Sequence, residues 1–144
     1  MESQVLLDNF GDARQIAVER ALAEFRAARP VAIESGDAIT LAFPAEGLTE
    51  ALMPFFQDTK RSARLTLPWE KVRPACLSKG AAVTARLHPL TLATIEHIAG
   101  YSHAHVAADG APAYTIAFEE PDEAEAAALA LANLSLLSPA VIVM

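Results

Sequence analysis

The chain has 144 residues, of which 53% are hydrophobic and 6% aromatic, and its formal net charge is −7. This length fits one domain with a core that needs neither metals nor disulfides. The acidic balance argues against nucleic acid and anionic membranes as partners, because both need clustered lysines and arginines. The single cysteine, Cys76, cannot form an intramolecular disulfide or a cysteine-based zinc site, which favours a reducing, cytoplasmic location.

The two ends of the sequence carry no recognisable export or membrane signal. Residues 1–12 contain acidic and polar side chains where a signal peptide needs a basic start and an apolar run, so we predict a flexible arm before one domain at 13–144. No apolar run approaches the roughly 20 residues of a membrane-spanning helix. The apolar stretch 139–144 predicts either a strand of the protein's own sheet or the cut end of a longer chain.

The first half of the chain alternates helical and strand patterns. The predicted elements are a helix at 13–29, strands at 30–33 and 38–43, a helix from 49, a strand at 62–67 and a short helix from 68. Asp12 can cap the first helix, and Pro30 ends it. Residues 34–37 supply turn chemistry between two strands, which predicts a hairpin.

The second half continues the same alternation. Its predicted elements are a strand at 83–87, a helix at 90–98, a hairpin of 102–107 with 113–118, a helix at 123–136 and a closing strand at 139–144. Gly100 suits a helix end, Asp109–Gly110 suits a hairpin turn, and Asp122 can cap the last helix. The whole pattern predicts the α/β (α+β) class, with one mixed β-sheet and flanking helices.

Two pairs of side chains could hold a divalent metal. His103 and His105 lie two apart on a predicted strand, so both imidazoles would share one face and could grip Zn²⁺ if a third ligand joined them. Glu34 and Asp37 flank the first hairpin turn and could hold Mg²⁺. The alternative for each pair is ordinary: polar residues on a solvent-exposed face or turn.

Three cations lie close together before and within the third predicted strand. Lys60, Arg61 and Arg64 could meet a phosphate, although no glycine-rich segment offers backbone N–H groups beside them. The alternative is solvated charge. His88, which precedes Pro89, is interpreted as a residue at a strand end.

Several stretches resemble a known family. Residues 18–33, residues 41–52 (with Ala45-Glu46-Gly47 at the turn and Thr49 opening a helix) and residues 62–68 are similar to successive parts of the 3,4-dihydroxy-2-butanone 4-phosphate synthase fold. Residues 126–140 are similar to the helix that leads into the next domain of bacterial GTP cyclohydrolase II proteins. The chain therefore resembles the degenerate synthase-like N-terminal domain of those proteins, which implies a synthase-like fold and a link to riboflavin biosynthesis.

The departures from the family concern its reactive groups. An active synthase has a long acidic loop after its first strand, which holds a divalent metal and works on ribulose 5-phosphate, whereas here only residues 34–37 occupy that place. The family's threonine-rich phosphate segment and its His-Thr-Val-Asp element have no counterpart. The zinc-binding cysteines of the cyclohydrolase domain are also missing, since Cys76 stands alone. The resemblance therefore assigns neither reaction to any residue here.

The main hypothesis is a non-catalytic synthase-like domain with a scaffolding or dimerisation role, associated with GTP cyclohydrolase II. Its expected partners are further copies of the chain or an adjoining cyclohydrolase domain, and no cofactor is expected unless Mg²⁺ or Zn²⁺ binds at the side chains above. Two alternatives stay open. One is a small metal-binding module or enzyme that uses His103 and His105, and the other is a ligand-binding regulatory domain with an apolar pocket that the sequence does not locate.

Overall fold

The computed structural model describes residues 12–58, 60, 62–100 and 113–144. The helices are α1 (Ala13–Arg26), α2 (Met53–Phe56), α3 (Trp69–Val72), α4 (Leu92–Ala99) and α5 (Glu123–Leu134), with a 3₁₀ turn at Ala45–Gly47. The strands are β1 (Val31–Ser35), β2 (Ala38–Pro44), β3 (Arg64–Pro68), β4 (Ala82–His88), β5 (Thr115–Glu119) and β6 (Val141–Val143). Within the described ranges no helix has the length and apolar character needed to cross a membrane.

The six strands form one sheet in the order β1-β2-β6-β3-β4-β5. The predicted α+β class, with a sheet flanked by helices, is confirmed. One detail differs from the predicted mixed sheet: every pairing between the described strands is antiparallel. Strands β2 and β3 do run parallel to each other, as the crossover through α2 implies. The last strand, β6, lies between them and is antiparallel to both, so the two parallel strands never become neighbours.

The hairpin of β1 and β2 is confirmed, and its register runs from Val31 opposite Ala42 to Ser35 opposite Ala38. Only Gly36 and Asp37 connect the two strands. Gly36 has φ +60°, a left-handed conformation that glycine adopts without steric cost. A positive φ at the first of two turn residues is the pattern of a type II′ turn, which matches the twist of antiparallel strands.

The side chains of the sheet alternate between two faces, and each face has its own core. Helices α1 and α5 cover one face, which we call the α1/α5 face, and the short helices α2, α3 and α4 cover the other, which we call the α2–α4 face. The first core is built mainly of small and branched side chains: Phe25, Ala42, Ala128, Leu129, Leu131, Ala132, Val141 and Val143. The second core is larger and includes Phe43, Met53, Phe56, Leu65, Leu67, Val83, Ile95 and Ile142.

The caps predicted at Asp12, Gly100 and Asp122 are also confirmed, but two predicted helix bounds are not. Helix α1 ends at Arg26, before Pro30, and α2 begins at Met53 without a side-chain cap, so Thr49 does not open it. The Asp12 carboxylate accepts a hydrogen bond from the backbone N–H of Arg14 at 3.2 Å, and Gly100 ends α4 with φ +75°. Asp122 caps α5 by accepting from the N–H of Glu125 at 2.8 Å, while its own N–H donates to Oε2 of Glu125 at 3.0 Å. These bonds satisfy backbone groups that a helix end leaves open.

Two predicted features lie outside the described residues: the N-terminal arm, apart from Asp12, and the strand at 102–107. The partner predicted for that strand is described in part as β5, which pairs with β4 through His88 opposite Thr115 and Thr84 opposite Glu119.

Candidate functional site

Three of the predicted site residues, His103, His105 and Arg61, lie outside the described residues. The metal site predicted for the two histidines therefore stays a prediction.

Glu34 and Asp37 are both exposed at the hairpin of β1 and β2. Glu34 is a strand residue opposite Ile39, whereas Asp37 lies in the turn itself. A bound Mg²⁺ needs six ligands, several of which are usually water. Across the described ranges, no group of three or more histidine, cysteine, aspartate or glutamate side chains is arranged to hold a metal ion. A site at this turn would therefore rest on these two carboxylates alone.

The two described cations of the predicted phosphate site, Lys60 and Arg64, lie in different surroundings. Lys60 is exposed, and its backbone N–H donates to Oδ1 of Asp58 at 3.1 Å. Arg64 is largely buried and faces α5, where its Nε lies 2.7 Å from Oε1 of Glu125 and its Nη2 lies 3.8 Å from Oδ2 of Asp122. The Nε–H makes no directed hydrogen bond, so the contact with Glu125 is an ion pair held by charge rather than by alignment. An anion at this position would compete with two carboxylates that Arg64 already has.

Glu125 is the centre of a buried polar network on the α1/α5 face. The residue is 2% exposed, and its Oε2 accepts from the hydroxyl of Thr84 at 2.6 Å. The hydroxyls of Thr84 and Thr66 lie 3.0 Å apart on neighbouring strands, and both threonines are buried. Since buried polar groups are costly without partners, this network fixes α5 over β3 and β4. It is closed on itself and offers no reactive group to solvent.

A cleft of about 640 Å³ lies on the α2–α4 face of the sheet, at the edge formed by β3, β4 and β5. Four segments line this cleft, which we call the α2–β4 cleft. They are the end of α2 with the two residues after it, the two residues before β3, the end of β4 with the two residues after it, and the start of β5. Its apolar surface comes from Phe56, Leu87 and Ile116, all members of or packed against the larger core. The volume is in the range of small-molecule sites, which are concave and mostly apolar with a few polar groups.

Polar groups surround the apolar part of the cleft. The amide Nε2 of Gln57 donates to the carbonyl oxygen of Leu90 at 2.8 Å, which ties the end of α2 to the loop after β4. The hydroxyl of Thr115 donates to the carbonyl oxygen of His88 at 3.3 Å across the β4–β5 pair. Arg86 also lines the cleft, and its Nε donates to Oε1 of Glu119 at 2.9 Å.

The sequence did not indicate this cleft. Gln57 and Arg86 were not recognised as site residues, and His88 was interpreted as a strand-end residue, which it is. The lining comes from four chain segments that are far apart in sequence, so no local spacing marks it. The one local signal was the pair of polar residues, Gln57 and Asp58, directly after the helix that ends at Phe56.

A second exposed feature lies at the β1–β2 end of the α2–α4 face. Alternation along β2 places Ile39 and Leu41 on the same face as Phe43. Leu41 and Met144 exchange both backbone hydrogen bonds, at 2.8 and 3.0 Å, so their side chains are neighbours. Ile39 is 69% exposed, while Leu41 and Met144 are half-buried. We call these three side chains the open apolar strip.

The architecture is a 3,4-dihydroxy-2-butanone 4-phosphate synthase-like fold, as the resemblance predicted. A solved structure with this fold is that of RibBX, a two-domain 3,4-dihydroxy-2-butanone 4-phosphate synthase from A. baumannii, which matches this chain with a TM-score of 0.59 and 17% sequence identity. The match covers 88% of this chain and 46% of that one, so this chain spans about half the length of RibBX. No protein-family model and no curated protein matches the sequence.

Proposed function

We propose that this chain is a non-catalytic synthase-like domain with a scaffolding or dimerisation role, which acts beside a GTP cyclohydrolase II in riboflavin biosynthesis. The fold shared with RibBX supports the synthase-like part of this proposal. The link to the cyclohydrolase rests on the sequence resemblance of residues 126–140, which include most of α5. Its expected place of action is the cytoplasm.

The observation that carries the non-catalytic part is the turn between β1 and β2. The resemblance implies that an active synthase holds its metal on a long acidic loop at this place. Here Gly36 and Asp37 alone join the strands, and the register stays unbroken up to Ser35 opposite Ala38. A turn of this size leaves no chain with which to build such a loop. Among the polar side chains beside this turn, the Ser35 hydroxyl has a structural partner, because it donates to Glu123 of α5 at 3.2 Å.

The assay for the lost reaction is direct. Purified chain supplied with Mg²⁺ and ribulose 5-phosphate should release no formate above background, while an active synthase assayed in parallel should release it. Release of formate and a butanone phosphate by this chain at a rate proportional to its concentration would overturn the proposal. A variant with Glu34→Gln and Asp37→Asn serves as the control that separates true turnover from a contaminating enzyme.

The open apolar strip supports the scaffolding part, because an exposed group of aliphatic side chains on a sheet face is typical of an interface. We expect the chain to self-associate or to bind a purified GTP cyclohydrolase II, as measured by sedimentation velocity. Ile39→Glu should weaken that association by placing a charge in the interface. Val18→Glu is the matched control, since Val18 is 47% exposed on α1, away from the strip. The scaffolding role is contradicted if the chain stays monomeric and does not bind the cyclohydrolase. It is also contradicted if Ile39→Glu and Val18→Glu weaken the association equally.

The second candidate function, a metal-binding module at His103 and His105, has a separate test. Elemental analysis after incubation with Zn²⁺ should give stoichiometric metal for the parent chain and none for a His103→Ala/His105→Ala variant if this candidate holds. Equal metal content in the two proteins rejects it. Glu34→Gln/Asp37→Asn tests the predicted carboxylate pair in the same experiment with Mg²⁺.

A further inference from the structure

We propose that the α2–β4 cleft binds an uncharged, planar, heteroaromatic small molecule. This inference goes beyond the scaffolding role and does not depend on it. It rests on three properties of the cleft: its apolar floor, the hydrogen-bonding groups along its edge, and the balance of its charges.

The floor is flat and apolar. Leu87 and Ile116 are register partners on neighbouring antiparallel strands, so their side chains lie side by side on the same face of the sheet. Phe56 adds an aromatic wall and is fixed by Phe43, whose ring centroid lies 5.7 Å away, and by Phe55 at 5.2 Å. A surface of two aliphatic side chains beside a fixed ring suits a flat ring system better than a branched or extended chain.

The edge can recognise ring N–H and ring nitrogen atoms. The Gln57 amide uses its nitrogen to donate to Leu90, which fixes the amide and leaves its Oε1 as an acceptor. Ser62 lines the same cleft, and its hydroxyl can donate or accept a hydrogen bond. An aliphatic ligand would leave these groups without partners, and desolvating them would cost binding energy.

The charges of the lining are compensated. Arg86 is paired with Glu119 through a 2.9 Å contact, and alternation along β4 and β5 places both side chains on the face of the sheet opposite to Leu87 and Ile116. Asp58, which lines the cleft, carries a negative charge. The whole chain has a net charge of −7, which repels anions at long range. A phosphorylated or carboxylated ligand on the apolar floor would therefore lie near the Asp58 carboxylate, while the Arg86 guanidinium is held by Glu119 on the other face. An uncharged heterocycle meets no such penalty.

Adenine is a suitable probe, because it is planar, uncharged at neutral pH and has both donors and acceptors on its edge. Titration into ¹⁵N-labelled full chain, followed by amide chemical shifts, should give saturable shifts at residues that line the cleft. For a ligand of this size in an open cleft we expect a Kd on the order of 1 mM. Adenosine 5′-monophosphate should bind at least severalfold more weakly because of its phosphate.

Variants locate the site. Gln57→Ala should weaken adenine binding roughly fivefold, the effect of one hydrogen bond. Gln15→Ala is the matched control, since Gln15 is an exposed glutamine on α1 that contacts Glu19. Ser62→Ala provides a second test within the cleft, and urea midpoints confirm that each variant is folded. The proposal is overturned if shifts do not saturate, if they map elsewhere, if the monophosphate binds as tightly as adenine, or if Gln57→Ala and Gln15→Ala have the same Kd.

Discussion

The two faces of the sheet are packed with different chemistry. The α1/α5 face combines small aliphatic side chains with a buried carboxylate, Glu125, whose partners are Arg64 and Thr84. The α2–α4 face is built from larger apolar side chains, including Phe43, Phe56 and Leu67, and at its edge it opens into the cleft.

This difference separates what fixes the fold from what is available for binding. A buried carboxylate that pairs with a cation and accepts hydrogen bonds holds one arrangement of helix and sheet, because any other arrangement would leave that charge without partners in the interior. An apolar face tolerates variation in its cover, since packing depends on volume more than on exact partners. We therefore expect substitutions on the two faces to fail for different reasons, and unfolding experiments can test this.

The largest effect is expected for Glu125→Ala. The change leaves Arg64 without its main partner and removes the acceptor of both the Thr84 hydroxyl and the Asp122 N–H. Breaking a buried pair in this way should lower the free energy of unfolding by about 3 to 5 kcal/mol. Urea denaturation measures this, with Glu123→Ala as the control, because Glu123 lies in the same first turn and is exposed.

The double variant Arg64→Leu/Glu125→Leu sharpens the interpretation. If the network contributes specificity more than stability, two apolar residues should recover most of the loss seen in Glu125→Ala. A cost below about 1 kcal/mol for Glu125→Ala would show that the network is dispensable, and the contrast between the faces would then fail.

The next effect is expected for Leu67→Ala on the α2–α4 face. Leu67 is fully buried, so truncation removes apolar contacts and leaves a cavity. The expected loss is about 3 kcal/mol. Leu52→Ala is the control, because Leu52 is 36% exposed and should cost far less. A larger loss for Leu67→Ala than for Glu125→Ala would reverse the ranking of the two faces.

The sequence predicts most helices and strands correctly, but it does not predict which distant strands lie next to each other in the sheet. The hairpin of β1 and β2 and the caps at Asp12, Gly100 and Asp122 were predicted correctly because each depends on residues a few positions apart. The insertion of β6 between β2 and β3 was not predictable in this way. It depends on contacts between residues about 80 to 100 positions apart, such as Phe43 with Ile142.

For the site residues as well, local features were predictable from the sequence and contacts between distant residues were not. Arg64 was recognised as a possible anion-binding cation from its local sequence, but its partner Glu125 is 61 residues away, and only the packing of α5 brings them together. The cleft was missed because Phe56, Leu87 and Ile116 have the periodicity of ordinary core residues. Nothing in a hydrophobic pattern says whether a helix covers a strand along its whole length.

A smaller effect is expected for a substitution at Gly47, which packs against Ala28 just after the end of α1. A Cβ added to Gly47 would lie 2.7 Å from Cβ of Ala28, which is closer than two carbon atoms can approach. Gly47→Ala should cost about 1 to 3 kcal/mol through this clash, whereas Gly80→Ala should be mild, since its nearest neighbours are 3.9 Å away.

Ala28 allows the clash to be tested by rescue. Its φ of +53° is unfavourable for alanine, so Ala28→Gly alone should stabilise the protein slightly, and it should also remove the clash in the Gly47→Ala background. A double-mutant cycle that shows no coupling between the two positions would exclude this contact as the cause.

The smallest effect is expected for the exposed ion pair between Glu24 of α1 and Arg29, which follows the helix, and this effect has a defined dependence on pH. The Arg29 guanidinium donates to the Glu24 carboxylate, with Nη2 and Oε1 2.9 Å apart, and this hydrogen bond lowers the pKa of Glu24 below its usual value. A lowered carboxyl pKa contributes stability above the unfolded-state pKa, and that stability is lost as the pH falls through the folded-state pKa. Parent chain and Glu24→Gln should therefore differ slightly in urea midpoint at neutral pH and converge in acid, and salt should reduce the difference because both side chains are exposed to solvent. A difference that persists unchanged into strong acid would mean that Glu24 acts through packing on α1 rather than through its charge.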